Sequence, residues 1–195
     1  MHAVSFIYRL QDGQITEHHA CRDDLRTEAA SELDSVFEPG ESMNPHPSTM
    51  TDHETVVLAM HDAFHRRDFA AGAQLFAPLF SNHGVELPRE AIMAVWTDIC
   101  TRFPDARLDI ITLSVGGEWV SVRNTYSGTH QGVGTLPVDG GFLVGVEPTG
   151  QPFSVPHIHM YRLQDGLIAE HHACRDDLGM MAQLGLPLQI TPGSG

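Results

Sequence analysis

Lysine is missing from all 195 residues, and each of the eleven cationic side chains is an arginine. A lysine Schiff base and the lysine of a phosphate-binding loop are both excluded. Twenty-five acidic residues bring the formal net charge to −14, which argues against nucleic acid and against a membrane surface as partners, since each calls for a basic face. Cysteine is scarce: Cys21, Cys100 and Cys174 are odd in number and lack zinc spacing, so neither a disulfide framework nor a zinc site is expected, and a reducing cytoplasm is. No run of about 18 apolar residues occurs, and no basic segment leads into an apolar one, so neither a membrane span nor a signal peptide is expected. A Gly-x-Ser-x-Gly elbow, a dinucleotide fingerprint and a reactive-cysteine setting are missing as well, which removes serine hydrolases and redox enzymes.

What remains is ordinary for a folded domain, with 42% hydrophobic and 18% charged residues. The length suits one domain and an appendage. The appendage is visible as a repeat. "YRLQDGQITEHHACRDDL" at Tyr8 to Leu25 returns as "YRLQDGLIAEHHACRDDL" at Tyr161 to Leu178, with sixteen of eighteen positions identical. Each strip reads as a β-hairpin turned by Asp-Gly and followed by the start of a helix. Residues 1–27 are accordingly a partial duplicate of the C-terminal hairpin, 28–50 an acidic linker rich in Pro, Ser and Gly, 51–188 the main domain, and 189–195 a tail.

In the main domain, "TDHE" at Thr51 to Glu54 offers a capping box, and Val56, Met60 and Phe64 follow at helical spacing. A second helix is expected over Asp68 to Phe80, and a third from Pro88 with Ile92, Trp96, Ile99 and Phe103 on one stripe. Beyond Asp105 the period changes to β, giving strands at "RLDIITLSV", "EWVSVRNTYSGTH", "GFLVGV", "FSVPHIHMYRL" and "LIAEHHACR". A last helix runs from Asp176 to a stop near Gly185. Helices first and a meander afterwards predict an α+β domain, helices on one face of a curved antiparallel sheet, with a binding cavity between them.

Four stretches in this order, "FPDARLDI", "GTHQG", "EPTGQPF" and "RLQDGLIAEHHACRDDLGMMAQLG", resemble the SnoaL-like polyketide cyclases of the NTF2-like superfamily. The resemblance spans roughly Thr51 to Pro187. It implies a cone-shaped α+β barrel around a hydrophobic ligand, a homo-oligomer (dimer or tetramer), and a cofactor-independent aldol ring closure in a polycarbonyl or aromatic small molecule. It places the acid/base carboxylate on Asp176, with Glu170 and His171 before it, and departs from the family pattern at His172, where tryptophan is usual.

A carboxylate can serve both proton steps if burial raises its pKa, although Asp is also a strong helix N-cap. His130 is a second catalytic candidate, as hydrogen-bond donor to an enolate, or else a structural histidine. His157, His159 and Tyr161 alternate along one strand and share a face. Glu170 and His172 share alternation too, so Glu170 either orients His172 or pairs with an arginine. All five, with Trp96 as an aromatic floor, are expected to bind substrate, unless Trp96 simply packs in the core. "HIH" also suggests a cupin-type metal site, but Leu163 and Gln164 stand where its glutamate belongs, and no metal is expected. A non-catalytic ligand-binding protein, or a hydratase or isomerase with the same acid/base pair, shares this pattern.

Overall fold

The computed structural model describes residues 4–11, 14–22 and 52–187, the first two stretches by backbone pairing alone. Thr51, Asp23, the expected linker and the expected tail lie outside the described residues. Helix α1 (Asp52–His65) buries Val57, Met60, His61 and Phe64, so Met60 and Phe64 of the expected stripe are buried, Val57 takes the place of the half-buried Val56, and one imidazole is added. Arg67, at φ 61, turns the chain into α2 (Phe69–Ala73), whose cap is Asp68 accepting from the backbone N–H of Ala71 at 3.2 Å.

The expected second helix ends at Ala73. Phe76 to Phe80 belong instead to strand β3 (Phe76–Asn82), which turns through His83 and Gly84, both at positive φ, into β4 (Val85–Pro88). Pro88 therefore closes a strand, and α3 (Glu90–Arg102) begins after it. Strands β5 (Arg107–Gly116) and β6 (Trp119–Thr129) match expectation. "GFLVGV" does not form a strand; it follows a 3-10 turn at Asp139–Gly141 inside the loop between β6 and β7, held by the buried Leu143. The C-terminal hairpin is β7 (Pro152–Gln164) and β8 (Leu167–Arg175), with Asp165 and Gly166 at φ 52 and 76, the two left-handed residues of a tight turn. Helix α4 (Asp177–Gln183) follows, and Gly185 at φ 71 leads the chain away from it.

The main sheet is open and six-stranded, in the order β4-β3-β8-β7-β6-β5. It is antiparallel except between β3 and β8, which run parallel and bring Asn82 beside His171. On β6 and β7 the buried residues alternate: Val120, Val122, Asn124 and Tyr126 face Tyr161, His159, His157 and Val155 across the pair. This concave side meets α1 and α3, where Trp96 is surrounded by Phe64, Phe69 and Phe76 at ring distances of 5.5, 5.9 and 6.4 Å. Trp96 is thus a core residue. Gly72 lies against it so closely that a Cβ there would overlap the indole.

The N-terminal copy forms a separate two-stranded sheet, β1 (Val4–Gln11) with β2 (Gln14–Arg22). Its pairing reproduces the C-terminal hairpin: Tyr8 opposite His18 and Arg9 opposite Glu17, with an irregularity before Leu10, as Tyr161 opposes His171 and Arg162 opposes Glu170, with an irregularity before Leu163. Both edges of β8 are taken, by β3 and β7, so the copy has no place beside it in the main sheet. Deleting residues 1–34 is expected to leave the melting temperature within a few degrees of the full chain by circular dichroism. Loss of the cooperative transition would make the hairpin integral.

Candidate active site

Strand alternation decides which histidines meet. Across the β7–β8 pair, His157 faces Arg175, His159 faces Ala173 and Tyr161 faces His171, all on the concave side. Arg162 and Glu170, and Met160 and His172, pair on the other side. The expected pocket residues therefore divide. His157, His159 and Tyr161 line the interior, joined by His171, whereas Glu170 and His172 lie on the convex face and do not line it with them. There Glu170 accepts from His172 Nε2 at 2.7 Å and from Arg162 Nε at 2.9 Å, so both of its anticipated partnerships form. His172 keeps 40% of its side chain exposed.

In the interior, aromatic rings run in a continuous row. His130 lies 5.6 Å from Phe103, Phe103 lies 6.1 Å from Tyr126, and Tyr126 lies 4.9 Å from His157. His157 is 5.6 Å from His159, which stacks on His171 at 5.2 Å, and His171 stacks on Tyr161 at 5.0 Å. His130 is thus at the far end of the row from His159. Its Nδ1 accepts from the N–H of Thr149 at 3.2 Å, its own backbone holds Gly150 and Gln151, and its Nε2 is buried.

Burial dominates the electrostatics. It lowers His61 to about 4 and His157 and His171 to about 3, and it pushes His159 well below 6.5, with neighbouring imidazoles and Arg175 adding to the effect. All four are neutral at physiological pH. Burial likewise holds the Tyr161 phenol protonated. Several polar atoms of this face have no hydrogen-bond partner among the described residues: both ring nitrogens of His157, both side-chain polar atoms of Asn124, and Nε2 of His61 and of His159. Leaving such groups unpaired costs about 1–3 kcal/mol each, so this concentration marks a surface that answers to a polar-edged ligand.

Asp176 directly follows Arg175, the last residue of β8. It is the N-cap of α4, accepts from the N–H of Gly179 at 2.8 Å, and is half-buried. The carboxylate after it, Asp177, is buried beside Arg175 at 3.3 Å. Sequence reasoning missed Asn82 and His61. Asn82 reaches His171 only through the parallel β3–β8 pairing, and His61 read as part of an ordinary helix.

A curved sheet, helices over its concave side and a buried row of polar rings define an NTF2-like small-molecule fold. Within that class the match is specific: the model of the SnoaL-like polyketide cyclases fits residues 54–184, and the chain belongs to that family. Among its relatives, the aklanonic acid methyl ester cyclase DnrD of Streptomyces peucetius is 36% identical over 46% of this chain and 55% of its own length. The nogalonic acid methyl ester cyclase of Streptomyces nogalater is 31% identical over 56% of this chain and 76% of its own. The chain thus spans about half the length of DnrD. The crystal structure of IdmH from Streptomyces antibioticus superposes with a TM-score of 0.57 at 28% identity, covering 70% of this chain and all of IdmH. No helix among the described residues is long and apolar enough to cross a membrane.

Proposed function

We propose that this chain is a cofactor-independent cyclase that closes a ring in a polyketide-like polycarbonyl molecule by intramolecular aldol addition. The observation that carries the reading is the row of neutral imidazoles on the concave face, of which His157 and His159 are buried and carry ring nitrogens with no partner among the described residues. Aldol closure needs a proton taken from a carbon between carbonyls and a proton given to the new alkoxide. Neutral imidazoles supply an acceptor and donors without placing a net charge in the core. The phenylalanine and tyrosine rings beside them match a flat aromatic body. Relatives that act on aklanonic and nogalonic acid methyl esters support the substrate class.

The family pattern makes Asp176 the proton carrier, and one oxygen of its carboxylate also caps α4. Asp176→Asn preserves an oxygen for the Gly179 N–H, so it should fold normally, but without the carboxylate it should lose turnover. Asp176→Ala should lose about 1 kcal/mol of stability. Purified full-length protein is offered aklanonic acid methyl ester and the product followed by chromatography. Retained turnover in a well-folded Asp176→Asn protein would take the acid/base role from this residue. The second reading, a binding protein without chemistry, draws on the same commitment of Asp176 to its helix. Ester that binds and is recovered unchanged would establish it.

A further inference from the structure

We propose that Gly179 is a positioning residue for the Asp176 carboxylate: its missing side chain leaves the space in which Oδ2 stands ready for proton transfer, while Oδ1 is fixed to the backbone of α4. This rests on the acid/base role given to Asp176 in the cyclase reading above. Local rules speak against a glycine at this place. Gly179 is the third residue of a seven-residue helix, where alanine would favour the helix and glycine opposes it. No left-handed backbone requires it, since Gly179 is not among the glycines at positive φ. What it accommodates is the carboxylate. A Cβ at residue 179 would overlap Asp176 Oδ2 and would stand 2.6 Å from its Cγ and 2.7 Å from Oδ1, and these are the three nearest atoms.

Helix α2 shows the same cap built without glycine. Asp68 caps it from φ −87 and ψ 68, nearly the backbone of Asp176 at φ −90 and ψ 62. In each helix the aspartate accepts from the N–H three residues on: Ala71 at 3.2 Å in α2, Gly179 at 2.8 Å in α4. Capping therefore tolerates a Cβ at the donor residue. The glycine accompanies the shorter bond and the carboxylate that lies where a methyl would be.

The two oxygens of Asp176 are left with different tasks. Oδ1 is committed to the Gly179 N–H, and Oδ2 has no hydrogen bond among the described residues. The neighbouring carboxylate, Asp177, is turned to Arg175 at 3.3 Å. In the step itself, a C–H bond between two carbonyls breaks and its proton forms an O–H bond at Oδ2, while the electron pair becomes the enolate. The enolate carbon bonds to a ketone carbon of the same molecule, and the carbonyl π pair moves onto oxygen. That alkoxide takes the proton back from Oδ2, which restores the carboxylate with no net oxidation. An oxygen anchored to the backbone fixes the direction of the other before substrate arrives. A methyl at residue 179 would drive Oδ2 back by about 1 Å, and a misplacement of that size costs on the order of 10²-fold in rate.

The test sets stability against turnover in the full chain. Gly179→Ala should melt at or above the wild-type temperature, because alanine favours the helix. With aklanonic acid methyl ester as probe, its kcat should fall about 10- to 100-fold with little change in KM. Ala71→Gly, the reverse exchange under Asp68, should lower the melting temperature slightly and leave kcat alone. In the Asp176→Asn background, alanine at residue 179 should lower the residual turnover no further, since it acts through the carboxylate. A crystal structure of Gly179→Ala should show Oδ2 displaced and the capping bond lengthened, and an unmoved carboxylate would overturn the proposal without any substrate being needed. Wild-type kcat in Gly179→Ala beside an inactive Asp176→Asn would sink the proposal and leave the cyclase reading standing. Failure of Gly179→Ala to fold would also overturn it, because the glycine would then serve the backbone. A displaced carboxylate in a chain whose wild type leaves the ester unchanged would fault the cyclase reading alone.

Discussion

Acidification from pH 7 toward pH 5 is expected to unfold the protein before its carboxylates titrate. The sign follows from the imidazoles that burial depresses most: His61, His157 and His159, which are buried, and His171, which is half-buried. In the unfolded chain each takes up a proton near 6.5, whereas in the folded chain His61 resists until about 4, His157 and His171 until about 3, and His159 is likewise depressed by burial. The unfolded state binds more protons throughout that window, so stability is intact above 6.5 and falls as the pH drops. Each imidazole contributes about 1.4 kcal/mol per pH unit. Four together remove on the order of 5 kcal/mol per unit, against a total of about 5–15 kcal/mol for an ordinary domain. Urea titrations at a series of pH values should place the acid midpoint at about pH 5 to 6, with a slope of at least roughly four protons, since His65, His83 and His130 are lowered as well. His157→Phe, which removes a ring whose nitrogens have no partner among the described residues, should lower that slope by about one proton. A stability profile flat from pH 7 to 5 would mean that these rings reach water in the folded state.

Replacing Arg102 by Met is expected to cost about 3–5 kcal/mol, because it strands a buried charge. Arg102 is fully buried, its Nη2 lies 2.6 Å from Asp98 Oδ2, and the same nitrogen donates to the carbonyl of Leu136. Burial acts to raise the Asp98 carboxyl, but the N–H groups of Thr135 and Leu136, at 2.7 and 3.2 Å, together with Arg102 hold it below its ordinary value. The pair thus ties the β6–β7 loop to α3. Gly134 belongs to the same joint, since a Cβ at that position would overlap the guanidinium. Asp98→Asn keeps an acceptor for the two backbone N–H groups and should cost less than Asp98→Leu, which orphans them. Denaturant midpoints at unchanged m-value would measure the series. Equal stabilities for the two Asp98 variants would show that the loop does not depend on those bonds.

The hairpins are plain in the sequence because Asp-Gly turns flanked by alternating residues admit few other structures. Strand β3 is not, for a definite reason. Phe76 and Phe80 are four apart, a spacing that satisfies a helical stripe and one face of a strand equally well. "GFLVGV" errs the other way: its apolar letters suggest a strand, yet only Leu143 among them is needed as a buried anchor. Alternation groups the strand histidines correctly, but it cannot say which face is inside. That is why the sequence points to His172 as a pocket residue, while His171, one residue earlier, takes the interior side. Asp176 draws attention through the family pattern, and the competing local rule, N-capping, describes its geometry. Asn82 leaves no local trace, because its importance comes from a strand pairing across 89 residues.

That separation has a consequence for biosynthesis. During translation, Asn82 leaves the ribosome long before His171 exists, and the parallel pairing that joins them is among the most non-local in the chain. A nascent or prematurely terminated polypeptide ending before β8 can build its early helices, but it lacks the imidazole that Asn82 meets. The Asn82–His171 contact forms only once the last strand is made.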